Sequence, residues 1–336
     1  GMKKYVEYLS SIAKENLIHF GKYGDWCPPS SIVSRKTPIE LTSSWYYYHD
    51  VQFLAKIAHV IGKQEDNEYF LNKAKEIKES FNAKFLKEVY DVVKHAPHDR
   101  TISQTSNILP LYFDMVPPEK KKKVLSTLLK SIKEEYSYHF DTGILGTRYI
   151  FDVLTENGYP DVIYKMVNQK SFPGYGYMIK EGATTLWERW EKLEAGGMNS
   201  HNHIMLGTVD TWFYNTIAGI KSLEPSWKLL RIKPFIPNTM NYASASIKTI
   251  KGFIYSSWEK LESDLKLTIK IPVGCNAEVW IPIEDGNCVI TEGNAAIWSN
   301  NENIKHSDDI EFSKLEEKHA IFSIGSGFYQ FDTKYK

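Results

Sequence analysis

The hydrophobic pattern changes its period near residue 220, and this change limits the fold more than any other feature. Before this point, apolar residues recur at intervals of three and four, as on helices that bury one side. After it they recur at every second position, as in half-buried strands. The stretch "LKLTIKI" (265–271) shows the second pattern, with Leu265, Leu267, Ile269 and Ile271 on one face. A run of helices followed by a run of strands predicts a helical domain and then a β-sandwich.

The helical part predicts paired helices joined by short loops. Segment 66–86 has Phe70, Ala74, Ile77, Phe81 and Phe85 at spacings of four, three, four and four. Further helices are predicted over 41–63, 101–113, 118–134, 145–157, 159–168 and 207–219. Seven or eight helices are fewer than a closed barrel of six hairpins needs. We therefore expect an incomplete α/α-toroid with one apolar flank open, covered by a second copy or by a complementing chain.

The domain limits follow from the same change of period. We place the helical domain at 1–222 and the sandwich, which we expect to be antiparallel, at 223–336. Strand-like runs such as "NAEVWIPI" (276–283) and "GFYQFDT" (327–333) lie in the second part, separated by Gly, Asn and Asp.

Charge and cysteine usage exclude several classes of function. Among 336 residues, Lys plus Arg and Asp plus Glu are 41 each, so nothing favours nucleic acid or an anionic membrane as a partner. Cys27, Cys275 and Cys288 are too few and too widely spaced for a disulfide framework or a zinc cluster. We expect no cofactor and no metal. No segment has the apolar run of a signal peptide or a membrane span, which leaves the compartment open.

One motif raises the question of function. In "EGATTLWERW" (181–190), Trp187 and Trp190 flank the pair Glu188–Arg189. Such a motif can form the edge of a core, or a surface on which a sugar ring stacks. Aromatic residues make up 14% of the chain, which suits either interpretation. Other polar and aromatic residues gather in three loop-like stretches: "YGDWCPP" (23–29), "YHFDTGILGT" (138–147) and "NSHNHIMLG" (199–207).

These motifs, in this order and followed by a β-rich tail with "LLRIKPFIP" (229–237), resemble the α-L-rhamnosidase family of inverting glycoside hydrolases. The resemblance runs from about Tyr23 to the C-terminal sandwich, and "GATTLWERW" is its most specific part. It implies an (α/α)6 barrel with a β-sandwich behind it. It also implies release of terminal α-L-rhamnose with inversion, no cofactor, and a carbohydrate as the partner.

The resemblance implies specific roles for six residues. The glutamate of Trp-Glu-Arg-Trp is regarded as the general base of the family, which makes Glu188 the catalytic candidate. The candidates for the sugar pocket are Asp25, Trp26, Trp187, Trp190 and His203. We expect Asp25, Trp26, Trp187, Glu188 and His203 to converge on one concave surface.

The chain departs from the family at the general acid. The family carries this acid before "GDW", in a Glu-Arg…Gly-Trp-Thr-Gly-Asp stretch that this sequence does not contain. Inverting hydrolysis needs both an acid and a base. Asp25, Asp141 and Glu181 are candidates to replace the acid, although their spacing favours none of them. Three hypotheses stay open: an active rhamnosidase-like hydrolase, an impaired relative that only binds sugar, and one half of a split enzyme.

Structural roles compete with the functional ones at several positions. The histidines of "HNH" (201–203) have the spacing of metal ligands on a strand, but no third ligand group accompanies them. His203 is better explained as a hydrogen-bonding residue of the pocket or as a residue satisfied within the core. Cys27 has no activating base beside it in the sequence and is expected to be a small buried residue. The tryptophans could equally be core residues.

Overall fold

The computed structural model describes residues 1–90, 102–193, 198–262, 264–283, 288–299, 302–304 and 309–335. The chain divides into two compact units, Gly1–Thr208 and Val209–Lys336. The first unit is helical and the second is rich in strands, which confirms the predicted fold class.

Nine α-helices lie within the described residues. They are α1 (Met2–Ile12), α2 (Ile39–Val60), α3 (Gln64–Phe85), α4 (Gln104–Tyr112), α5 (Pro118–Lys130), α6 (Ile144–Glu156), α7 (Pro160–Val167), α8 (Tyr175–Lys180) and α9 (Thr208–Trp212). One turn of π-helix follows α5 (Ser131–Glu135) and another follows α9 (Phe213–Ile217). Each predicted helix has a counterpart, although residue 101 of the segment predicted at 101–113 lies outside the described residues. The short helix α8 was not predicted.

Helices α2 and α3 show why these segments fold as they do. The apolar positions of α3 that the pattern singled out are all buried, from Phe70 to Phe85. Helix α2 ends before Gly62, whose φ of +73° needs the conformational freedom of glycine. The buried Trp45 of α2 donates its indole N–H to the carbonyl of Leu109 at 2.6 Å, which ties α2 to α4. Helix α3 thus packs through one apolar stripe, whereas α4 is buried on all sides, with Gln104–Leu111 inside the protein.

Two sheets make up the second unit. The strands are β1 (Ile220–Ser222), β2 (Leu229–Ile232), β3 (Tyr242–Thr249), β4 (Gly252–Leu261), β5 (Asp264–Ile271), β6 (Asn276–Pro282), β7 (Cys288–Glu292), β8 (Ala295–Ser299), β9 (Glu302–Asn303), β10 (Ile310–Glu316), β11 (His319–Ile324) and β12 (Gly327–Tyr335). The order is β1-β2-β6-β11-β10 in one sheet and β3-β4-β5-β12-β7-β8-β9 in the other.

Most of the pairing is antiparallel, as expected. Among the strands that the structure describes, only β2 and β6 pair in parallel, with Leu230 opposite Ala277. Strands β3 to β5 belong to the other sheet, so the chain leaves the first sheet after β2 and returns to it at β6. A return through another sheet allows a parallel neighbour, which a tight hairpin does not.

The two sheets share an apolar core. Leu265, Leu267, Ile269 and Ile271 of β5 are all buried, as their alternation predicts. Between the sheets, the rings of Trp298 on β8 and Phe312 on β10 have centroids 5.1 Å apart.

The second unit begins earlier in the chain than the change of period suggests. Trp258 of β4 donates its indole N–H to the carbonyl of Ile217, and the hydroxyl of Ser256 donates to the carbonyl of Ala218, both at 2.8 Å. The turn of π-helix at Phe213–Ile217 is thus bound to the sheet, although its sequence is that of a helix. The domain limits 1–222 and 223–336 stay a prediction.

Large apolar side chains are exposed on α1 and α2. Met2, Tyr5 and Phe53 are 57%, 54% and 56% exposed, and all three line a cavity of about 320 Å³. Exposed apolar residues that cluster in this way are typical of an interaction surface. Among the described residues, no helix is long and apolar enough to cross a membrane.

Helix α3 provides a stability test, with an exposed residue of the same helix as the control. Phe81 is fully buried, so Phe81→Ala should lower the free energy of unfolding by about 3–5 kcal/mol through lost burial and a cavity. Tyr69 is 56% exposed, and Tyr69→Ala should change it by less than about 0.5 kcal/mol. Urea unfolding followed by circular dichroism measures both. Similar effects of the two variants would show that α3 does not bury the predicted face.

Candidate active site

The segment Asp25–Trp26 supplies the N-terminal cap of helix α6. Gly143 precedes this helix and has no side chain to cap it. The carboxylate of Asp25 instead accepts hydrogen bonds from the N–H groups of Gly143, Leu145 and Gly146 at 2.9–3.1 Å. The carbonyl of Trp26 accepts the remaining N–H, that of Ile144, at 2.8 Å. All four N–H groups that a helix start leaves unpaired are therefore satisfied by a loop far away in sequence.

Gly143 is required at this contact. A Cβ at residue 143 would lie 2.3 Å from the carbonyl oxygen of Trp26 and 2.7 Å from that of Asp25. Any other residue would push the Asp25–Trp26 segment away from α6. The glycine of "FDTGILGT" is thus explained by the close approach of two backbones.

Asp25 lies inside the protein. It is 2% exposed, and its carboxylate also accepts a hydrogen bond from the Thr105 hydroxyl at 2.6 Å. Burial raises the pKa of Asp25 above its usual range, and the four hydrogen bonds oppose this rise. Four donors fill the lone-pair positions of a carboxylate. The structure therefore differs from the expectation that Asp25 reaches a sugar hydroxyl, because its carboxylate is fully hydrogen-bonded to Thr105 and to the start of α6.

Trp190 belongs to the core next to this cap. It has no exposed surface, stacks on Phe140 with ring centroids 5.0 Å apart, and donates its indole N–H to the carbonyl of Thr142 at 2.9 Å. Thr142 directly precedes Gly143 at the start of α6. Trp190 thus fixes the "WERW" segment to the helix that Asp25 caps, and it has no free face for a sugar.

The Glu191 carboxylate connects the "WERW" segment back to the loop that follows "GDW". Arg189 is 8% exposed, and its Nη2 lies 3.2 Å from Oε2 of Glu191. The other carboxylate oxygen of Glu191 accepts the backbone N–H of Ser30. The Glu191 carboxylate therefore holds segment 189–191 against the loop that follows Trp26. The sequence alone gives no signal for this role of Glu191, because its partner at Ser30 is 161 residues away.

Cys27 lies in the same neighbourhood. It is 2% exposed, and burial raises the pKa of its thiol to about 11, with Arg189 lowering it and Glu188 and Glu191 raising it. A thiol with this pKa is protonated at neutral pH, as expected for a structural cysteine.

Glu188 is partly exposed and is held by the 199–203 loop. Its Oε2 accepts the N–H of Ser200 at 2.8 Å, and its own N–H donates to the carbonyl of Ser200 at the same distance. The backbone bond joins the two segments, and the side-chain bond anchors Oε2 to the 199–203 loop.

Trp187 and His203 belong to two segments, 187–191 and 199–203, that are hydrogen-bonded to each other. Trp187 is 2% exposed and stacks on His201 with ring centroids 5.0 Å apart. The N–H of His203 donates to the carbonyl of Leu186 at 2.9 Å, and its Nδ1 accepts the N–H of Met205 at 3.0 Å. Because Nδ1 accepts, a neutral His203 carries its proton on Nε2 and can donate from that atom. His203 and Trp26 are both partly exposed.

Three segments that are distant in sequence thus lie together: 25–30, 187–191 and 199–203. They are held by bonds at Glu191, at Ser200 and at the α6 cap. Within this group Glu188, Trp26 and His203 keep exposed surface. Asp25, Trp187 and Trp190 are buried.

Asp141 and Glu181, the other candidates for a general acid, are engaged with lysines. Both oxygens of Asp141 accept hydrogen bonds from Nζ of Lys36, at 2.7 and 2.9 Å. A cation at this distance favours the ionised form, and a general acid must start protonated. The geometry of Asp141 therefore does not favour proton donation. Glu181 lies 3.5 Å from Nζ of Lys192. Among the described residues, no group of three His, Cys, Asp or Glu side chains could hold a metal ion.

Comparison with known proteins decides the family. The model for the bacterial alpha-L-rhamnosidase six-hairpin glycosidase domain matches residues 1–217, and the model for the bacterial alpha-L-rhamnosidase C-terminal domain matches residues 219–296. The chain belongs to the bacterial alpha-L-rhamnosidase family. An alpha-L-rhamnosidase of Formosa agariphila is 31% identical over 99% of this chain, which covers 35% of that relative.

Solved structures of the family agree with this assignment. The alpha-L-rhamnosidase of Dictyoglumus thermophilum is 46% identical, with a TM-score of 0.90 over 99% of this chain and 36% of its own. The Streptomyces avermitilis alpha-L-rhamnosidase, solved with L-rhamnose, is 26% identical, with a TM-score of 0.84 over 99% of this chain and 30% of its own. The chain thus spans about a third of the length of these relatives.

The α6 cap predicts a graded loss of stability. Asp25→Ala leaves four buried donors without an acceptor and should lower the free energy of unfolding by roughly 3–5 kcal/mol. Thr105→Val removes only one of these donors and should cost about 1–2 kcal/mol. Urea unfolding of both variants, followed by tryptophan fluorescence, measures the difference. A larger loss in Thr105→Val than in Asp25→Ala would show that the carboxylate does not hold α6.

Proposed function

We propose that this chain carries the general-base part of an α-L-rhamnosidase site and acts in the release of terminal α-L-rhamnose with inversion. Glu188 takes the proton of a water molecule whose oxygen attacks the anomeric carbon. The glycosidic bond breaks as the new bond forms, and an acid protonates the departing oxygen. The observation that supports this role is the geometry of Glu188, with one oxygen anchored by Ser200 and the side chain partly exposed.

The surrounding residues divide by exposure. Trp26 and His203, which are partly exposed, are proposed to contact the sugar directly. The ring of Trp26 offers an apolar face to the methyl end of a 6-deoxy sugar, and Nε2 of His203 offers a donor to a hydroxyl. Asp25, Trp187 and Trp190 are proposed to serve the substrate indirectly, by holding Trp26 and Glu188 in place.

The general acid is proposed to come from polypeptide outside this sequence. Asp25 and Asp141 are held by other partners, and the relatives are about three times as long as this chain. A complementing chain is the proposed source of the acid. Without it, the pocket binds rhamnose but protonates the leaving oxygen poorly.

Hydrolysis of an activated substrate tests the base. The pure chain should release 4-nitrophenol slowly from 4-nitrophenyl α-L-rhamnoside, because this leaving group needs little protonation, and it should leave natural rhamnosides essentially intact. Glu188→Gln should lower the slow release by about 10²–10⁴-fold, since an amide cannot accept the proton from water. Glu181→Gln is the matched control and should retain the rate.

The product and the control decide between the outcomes. Proton NMR should show the β-anomer of rhamnose first, as inversion of an α-glycoside requires. An unchanged rate in Glu188→Gln would contradict the assignment of the base. Fast hydrolysis of a natural rhamnoside by the pure chain would show that the acid lies within it.

The exposed face on α1 and α2 is proposed to bind the complementing chain, or a second copy in its absence. Its large apolar side chains, among them Met2, Tyr5 and Phe53, suit burial against further helices. Sedimentation velocity of the pure chain should therefore show self-association at micromolar concentration. Phe53→Asp should abolish it, whereas Tyr69→Asp on α3 should not. A monomer that also fails to bind an apolar dye would refute this surface.

A further inference from the structure

We propose that the outer face of the seven-stranded sheet carries a second carbohydrate site, which binds a neutral oligosaccharide in a trough across β3, β4 and β5. All of its residues lie in the unit 209–336, and the proposal does not depend on the role of Glu188. Three features of the sheet support it: a floor of hydroxyl groups, walls with tyrosine rings, and a balance of charge.

Three short hydroxyl side chains form the floor. The strand register places Ser244 opposite Ser257, and Ser257 opposite Thr268. Their neighbours along the strands, such as Trp258 and Leu267, are buried, so alternation turns this row to the outer face. A row without bulky side chains leaves a depression lined with groups that both donate and accept hydrogen bonds.

Longer side chains border the floor on both sides. Two residues along the strands in one direction, the register aligns Tyr242, Glu259 and Lys266. On the other side of the floor, Tyr255 of β4 lies two positions from Ser257. Rows on the same face lie about 7 Å apart, so the backbones beneath the two walls are separated by roughly 13 Å. Floor and walls together line a cavity of about 300 Å³.

The trough is open at the edge of the sheet. Strand β3 is the edge strand, and its Tyr242 is 72% exposed. Tyr242 also lines a second and larger cavity of about 670 Å³, together with Phe213, Tyr214 and Asn241. An exposed ring between two adjoining clefts can stack on one sugar unit while its neighbours lie to either side. An oligosaccharide fits this arrangement better than a single sugar.

The charges favour a neutral ligand. Glu259 and Lys266 are direct cross-strand neighbours, so their charges offset each other while both can hydrogen-bond to hydroxyl groups. Lys270 opposite Tyr255 and Asp332 opposite Lys266 add one charge of each sign to the same face, so the balance is kept. An anionic ligand would meet Glu259. The flat and polar floor gives a protein partner little apolar surface to bury.

Titration calorimetry of the full chain tests the site. The probes are an α-L-rhamnose tetrasaccharide, maltotetraose and the monosaccharide L-rhamnose. Tyr242→Ala should weaken binding of a tetrasaccharide about tenfold, and Tyr242→Phe should keep it within about twofold, because phenylalanine retains the stacking face. Phe328→Ala is the matched control: Phe328 is 65% exposed on β12 of the same sheet and lines neither cleft.

The probes separate this site from the candidate active site. Binding of L-rhamnose should be unaffected by Tyr242→Ala, and Tyr242-dependent binding should persist in Glu188→Gln. The tetrasaccharide that binds more tightly identifies the preferred sugar.

Three results would overturn the site. These are no binding of either tetrasaccharide, equal losses in Tyr242→Ala and Phe328→Ala, or a change in Tyr242→Ala confined to self-association. The last result would make the edge of β3 a protein contact.

Discussion

In the helical unit, the arrangement of segments 25–30, 187–191 and 199–203 depends on the hydrogen bonds of the Asp25 carboxylate. It replaces a missing N-cap with three backbone hydrogen bonds and a fourth from Thr105. A helix start favours a negative charge because its N–H groups point outward and its dipole is positive there. A desolvated carboxylate is costly, but one that receives four hydrogen bonds recovers much of this cost. The resulting contact locks the loop at residue 25 to a helix more than a hundred residues away.

A closed series of hydrogen bonds and one ion pair connects this contact to the segment that carries Glu188. Thr142, next to the capped start of α6, accepts the indole N–H of Trp190. Arg189 pairs with Glu191, which returns to the first loop through Ser30. A loop with both ends fixed loses its conformational entropy on folding rather than on binding substrate. Glu188 lies inside this closed series, so its orientation is set in advance.

The sequence predicted the elements better than it predicted the roles of the site residues. Periodicity located α3 and β5, because burial of one face leaves a direct pattern in the chain. It could not show that Asp25 caps a helix 118 residues later, since nothing local distinguishes a capping carboxylate from one that binds sugar. The same holds for Trp190, where burial and sugar stacking both require a large aromatic ring. The parallel pairing of β2 and β6 was likewise missed, because strand periodicity is the same for both directions.

The residues of the Trp-Glu-Arg-Trp motif differ in burial, and this difference indicates different structural roles. In Trp-Glu-Arg-Trp, residues 187, 189 and 190 face inward and residue 188 keeps exposed surface. Three inward anchors around one outward carboxylate restrict its rotamers more than a carboxylate on a mobile loop would be restricted. A general base gains from this, because its oxygen must stay at hydrogen-bonding distance from one water molecule as that water attacks. In the proposed reaction, the tryptophans that suggested a sugar surface would therefore serve by fixing the glutamate between them, and Trp26 and His203 are the residues proposed to contact the sugar.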